Sequence, residues 1–139
     1  MMLQKLLFPK NTHGTVTSIT LLVLRVAFGG MLLTHGWSKL TNFEAAAQNF
    51  SAMGGCIAVG LVIFAEFFCA LGVIAGLFYR LALIPVIATM LVAFFIAHGA
   101  KLVGTGNGEL SFLYLIVFSV LMFAGSGKYA LDNFFAKKK

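Results

Sequence analysis

Two charged residues stand inside apolar sequence: Arg25 in "LVLRVAFGG" and Glu66 in "LVIFAEFFCALG". In a membrane helix, an arginine near the centre costs about 2.5–3.5 kcal/mol to insert, and charges that persist there face a partner or line a polar path. Arg25 lies eleven residues before Gly36, and Glu66 ten residues after Cys56. If Gly36 and Cys56 mark the same end of two antiparallel helices, both side chains sit at one depth. The expectation is an Arg25–Glu66 pair. A buried pair is weak evidence for stability, so a catalytic proton relay is weighed against a structural lock.

Further polar groups gather toward one end of the apolar segments. His35 and Lys39 are four apart and share a helical face, on which Arg25, Gly29, Leu32 and Gly36 form a stripe with Lys39. His98 and Lys101 are three apart, and Glu109 opens the last segment, where Asn107 is placed to cap. An acidic residue there also suits the helix dipole. Arg25, His35, Lys39, Glu66, His98 and Glu109 come from all four segments and suit one polar ligand pocket, with Trp37 and Phe112 as aromatic walls. A bis-histidine haem at His35 and His98 matches on ligand type alone, as does a metal. The chain has no HExxH, GxGxxG or P-loop pattern, and no metal site is expected.

The elements that must position these residues follow from composition. The 139 residues, enough for one domain, are 60% hydrophobic and only 10% charged, with mean hydropathy +0.99. A soluble chain carries roughly 25% charge. Too few polar side chains remain to cover a water-facing globule, so the chain is integral to a membrane. The net charge of +6 does not indicate nucleic acid, because the basic residues sit at segment ends and not among stacking aromatics. Cys56 and Cys69 lie 13 apart, about 20 Å along one helix and too far for a disulfide. The first apolar stretch holds Arg25 and runs into "THGWSKL" with no small-x-small site, so it is expected to stay as a span.

Four apolar segments follow one another, at about 16–36, 56–79, 81–97 and 110–125. A helix needs roughly 17–25 residues to cross the hydrocarbon. The predicted fold is all-α: a four-helix transmembrane bundle with a short amphipathic helix in the first external loop. That loop, "TNFEAAAQNFSAMGG", pairs Thr41 with Glu44 at capping-box spacing, and its helix either floats at the interface or covers a cavity. Pro85 is expected in the first turn of the third span, where its missing N–H costs least. Lys5, Lys10, Arg80, Lys128 and Lys137–Lys139 fall on one side, Lys39 and Lys101 on the other. That bias puts both termini in the cytoplasm. Tyr129, Phe134 and Phe135 beside the terminal lysines read as an interfacial anchor.

The ordered pieces "LRVAFGGMLLTHGWSKL", "AEFFCALGVIAGLFYRLA", "FFIAH" and "NGELSFLYLIVFSVLMFAGSGKYALDNFF" resemble the DoxX family of small four-span bacterial membrane proteins, from about Leu21 to Phe135. One departure is Ser126, where the family usually shows proline; it should alter the exit loop and not the pocket. The resemblance implies the bacterial inner membrane and an association with quinone or thiol redox chemistry. A quinone head group would then be held by Arg25 or His35 with Glu66 relaying a proton, electrons coming from a partner protein. The alternative is a non-enzymatic carrier or binder of a small anion or lipid, or a scaffold subunit; the cationic stripe Arg25, His35 and Lys39 would meet an anion.

Overall fold

A computed structural model of the chain describes residues 13–106 and 108–136. The lysines at 5, 10 and 137–139, and the cap expected at Asn107, lie outside the described residues. Helix α1 (Thr15–Thr41) has 27 residues, about 40 Å at 1.5 Å per residue. Then come α2 (Phe43–Asn49), a 3₁₀ turn at Ser51–Met53, α3 (Cys56–Ala75), α4 (Tyr79–Ala97), α5 (Glu109–Ala124) and α6 (Leu131–Ala136). The end of the bundle under α2 is termed the loop side and the opposite end the terminal side.

Helices α1, α3 and α4 are long and apolar enough to cross a membrane; α5, with 16 residues, is shorter. Helix α1 packs on α3, α3 on α4 and α4 on α5, with a lighter contact from α5 back to α1. The predicted stripe on α1 is realised: Ser18, Leu21, Arg25, Gly29, Leu32 and Gly36 are its buried residues. Of these, Leu21 and Leu32 join Val73, Leu83, Val86, Phe118 and Leu121 in the bundle core. Large apolar side chains such as Val23, Ile84, Ile96 and Phe123 point outward, as a surface solvated by lipid requires.

Three boundaries differ from the sequence reading. Helix α1 continues to Thr41 instead of stopping near Gly36, carrying "WSKLT" as one more helical turn. Thr41 therefore caps nothing: its hydroxyl donates to the carbonyls of Trp37 and Ser38, so the Thr41–Glu44 capping box does not form. Helix α3 ends at Ala75 because Gly76 adopts φ +69°, a left-handed stop that glycine makes without penalty. Pro85 sits inside α4, not in its first turn.

Two stretches depart from α-helical winding: Phe64–Cys69 in α3 and Ala93–Ala97 in α4 are π-helical. Such turns insert an extra residue and recur at functional sites. The first contains Glu66, and the second leads into His98.

On the loop side, Ala46 of α2 packs with Val59 and Ile63 of α3, joined by Ala47, Phe50 and Phe67. The connecting segment is thus fixed to α3 as a roof. Cys56 is exposed and Cys69 buried, and both are free thiols.

Candidate functional site

The register between α1 and α3 is set at Gly36. A β-carbon there would lie 2.7–2.9 Å from the Glu66–Phe67 peptide, so only glycine lets the two backbones touch. With Gly36 against Glu66, Lys39 lies one turn further along the same face of α1. Its Nζ donates to Glu66 Oε2 at 2.5 Å, and their side chains are 24% and 8% exposed.

This contact overturns the expected Arg25–Glu66 pair. Antiparallel to α3, Arg25 lies eleven residues from Gly36, so it is about 16 Å from the level of Glu66. Its guanidinium instead closes the terminal side. Nη1 donates to the Ser126 carbonyl at 2.5 Å, and Nη2 to those of Tyr129 at 3.0 Å and Ile74 at 3.3 Å. The Tyr79 ring lies 5.8 Å from the guanidinium carbon. The direct hydrogen bonds that offset the insertion cost go to carbonyls, and not to Glu66. Ser126 contributes only its backbone oxygen to this contact, which any residue there would supply.

Asp132 completes that end. Oδ1 and Oδ2 accept from the N–H groups of Phe78 and Tyr79, both at 2.9 Å, capping α4 from outside its own sequence. Phe78 is held at φ 45°, and the Asp132 N–H donates to the Gly76 carbonyl at 3.0 Å. A β-carbon at Gly76 would meet Ala130 and Arg25 Nη1 at 2.5–2.9 Å. The segment after α5 is thus clamped against Arg25 and the α3–α4 turn.

Above this clamp, in the loop-side half, lies a cavity of about 980 Å³. Lys39, His35 and Leu32 of α1, Glu66 of α3, Thr89 of α4, His98, and Ser111 and Tyr114 of α5 line it, under Phe50 and Met53 of the roof. The reason for the gap is visible in the packing. Helix α3 meets α4 along Phe64–Ala75, while its first turns, Cys56–Ile63, pack on α1 and α2. Between the loop-side ends of α3 and α4 the cavity therefore has a lateral mouth. Its rims are Ile57, Leu61 and Phe64 on α3 and Val92 on α4, each 40–77% exposed.

Of the six ionisable residues expected in one pocket, four line this cavity: His35, Lys39, Glu66 and His98. Arg25 belongs to the terminal-side clamp. Glu109 is exposed and outside the lining. Trp37 is 55% exposed and packs on Phe67, centroids 5.9 Å apart, behind the Lys39–Glu66 pair. Phe112 packs tilted against Phe94, centroids 5.0 Å apart, and is outside the lining. Among the described residues no group of three or more His, Cys, Asp or Glu side chains is arranged to hold a metal.

Sequence reading missed Tyr114. Its ring stacks on Phe118 at 5.8 Å and meets His35 edge-on at 6.2 Å. A tyrosine inside "SFLYLIVF" was the only signal, indistinguishable there from core packing.

A bundle of apolar helices with large apolar side chains outside, enclosing a cavity lined in part by an ion pair, defines a multi-pass membrane protein. The DoxX family model matches residues 20–99, a stretch that holds Arg25, His35, Lys39, Glu66 and His98; the chain belongs to the DoxX family. An uncharacterized protein of Haemophilus influenzae is 35% identical over 128 residues, covering 83% of this chain and 90% of its own. The inner membrane protein YqjF of Escherichia coli is 27% identical over 125 residues, covering 86% and 95%. No solved structure matches the chain.

Proposed function

We propose that this protein binds a membrane-dissolved molecule, apolar in body and polar at one end, that enters the cavity sideways from the bilayer. The quinone class is the proposed ligand, within a redox system of the inner membrane whose electrons come from a partner protein. The single observation supporting this reading is the lateral mouth. An apolar rim between α3 and α4 borders a cavity whose lining includes Lys39 and Glu66. A water-borne solute gains nothing from such an entrance, whereas a tailed molecule leaves its tail in lipid.

Charge supports the same choice. The anion reading needed Arg25, His35 and Lys39 on one surface. Arg25 is withdrawn to the terminal side, and Lys39 is neutralised by Glu66. What remains favours a neutral head. Glu66 keeps its proposed role as the group that exchanges a proton with the ligand, now with Lys39 as its partner. Placing the loop side outward and both termini in the cytoplasm follows from the bias of basic residues; α5 then completes a fourth span with the first residues beyond it.

The test is photolabelling in native membranes with a decyl-benzoquinone carrying a diazirine on its tail. Labels are expected on residues 57–66 and 88–98. Labels spread evenly over the lipid-facing surface, including Val23 and Phe123, would refute the lateral site.

A further inference from the structure

Several polar groups on the cavity wall, His35, Thr89 and Ser111 among them, make no side-chain hydrogen bond within the described residues; two stand out, a fully buried hydroxyl and a ring nitrogen that can only accept. The Tyr114 hydroxyl is buried without a partner, on a residue only 2% exposed. Leaving a buried hydroxyl unpaired is costly, and Tyr79, the other buried tyrosine, bonds the Leu121 carbonyl. Tyr114 keeps its hydroxyl at this cost, where phenylalanine would fill the same stack.

His98 supplies the acceptor. Its Nδ1 lies 2.7 Å from the Ala93 carbonyl, at the start of the π-helical turn. A carbonyl only accepts, so Nδ1 carries the proton, and in the neutral ring Nε2 holds a lone pair. Nε2 has no hydrogen-bond partner among the described residues, and His98 is partly exposed on the cavity wall. Gly108 holds the ring in place from α5's approach: a β-carbon there would meet His98 Cβ at 2.9 Å. The Lys39–Glu66 pair compensates its own charges.

From these we infer that Tyr114 and His98 select the ligand's head, and that the head is an uncharged hydroxyl on an apolar body. A hydroxyl oxygen accepts from Tyr114 and its proton is donated to His98 Nε2. This deepens, and rests on, the cavity reading above. A purely carbonyl head satisfies Tyr114 and leaves His98 unmet, so the hydroxyl-bearing form of a redox-active head is held more tightly than the carbonyl form.

Two variants isolate the groups. Tyr114→Phe removes one oxygen and keeps every ring contact. His98→Asn keeps an N–H where Nδ1 donates to Ala93 and removes the acceptor from the Nε2 position, its amide oxygen falling where ring Cδ2 was. Purified protein in mild detergent is titrated with 4-decylphenol, decylbenzene and decanol, with thermal stabilisation reporting occupancy. Decylphenol is expected to half-saturate at about three- to tenfold lower mole fraction than decylbenzene, the worth of one to two hydrogen bonds. Each variant should erase that preference while decylbenzene binding stays unchanged. Decanol matching decylphenol identifies an aliphatic alcohol as sufficient; decanol binding like decylbenzene identifies an aromatic hydroxyl, and both accord with the inference. Equal binding of decylphenol and decylbenzene, or a preference that survives Tyr114→Phe, overturns it and leaves the cavity standing. If no amphiphile stabilises the protein, the cavity reading itself falls.

Discussion

Lys39 Nζ and Glu66 Oε2 lie 2.5 Å apart on helices whose backbones touch one turn away, at Gly36. The glycine contact and the ion pair are one device: the first fixes the register that makes the second reachable. Four consequences can be measured.

Removing one charge leaves the other stranded. Lys39→Met should destabilise the protein by about 2–4 kcal/mol, toward the lower part of the range for broken buried pairs because Lys39 is 24% exposed. The double variant Lys39→Met, Glu66→Met should recover most of that loss. Thermal unfolding in detergent of both variants beside Glu66→Met decides it; a double-variant loss equal to the sum of the two single losses would mean the pair contributes no coupling.

Gly36→Ala and Gly30→Ala should behave oppositely. Position 36 has no room for a methyl, whereas nothing lies within 4 Å at position 30. Overpacking costs about 1–3 kcal/mol, while alanine for an unhindered helical glycine gains up to about 1 kcal/mol. The melting temperature should fall for the first variant and hold or rise for the second.

Arg25 is expected to act on the tail and not on Glu66. Arg25→Met, or Arg25→Lys with its single ammonium, should release residues 125–136 from the bundle. Amide hydrogen exchange over that segment should rise in both variants and remain unchanged in Glu66→Gln. A rise in Glu66→Gln of the same size would contradict the separation of the two sites.

Asp132→Ala removes two hydrogen bonds to the start of α4. Bonds to a charged acceptor contribute about 1.5–3 kcal/mol each, so losing two is expected to cost about 3–6 kcal/mol. Faster exchange at the Phe78 and Tyr79 amides checks the cause.

Much of the fold was legible because lipid imposes simple rules. Apolar length marked α1, α3 and α4 within a few residues, and the helical stripe from Arg25 to Gly36 named the buried face of α1. The register was not legible. "THGWSKLT" reads as an exit from the membrane, yet it stays helical to Thr41, which slides Gly36 down to Glu66 and moves Arg25 about three turns away. The clamp around Arg25 escaped notice since its partners are backbone carbonyls, which every residue carries. The π-helical turns left no mark in "FAEFFC" or "AFFIA", and without them neither the cavity nor the use of Tyr114 could be foreseen. His35, Lys39, Glu66 and His98 were found by residue type and depth alone.

The most direct measurement is the organic extract of the protein purified from its native membrane, analysed by mass spectrometry beside Ala88→Trp. Ala88 lines the cavity from α4 and is exposed, so an indole there adds bulk at the cavity wall without entering the core. The account predicts a stoichiometric amphiphile, distinct from bulk phospholipid, that is present in the parent protein and absent from the variant. Identical extracts, holding only bulk phospholipid, would contradict a ligand-binding cavity.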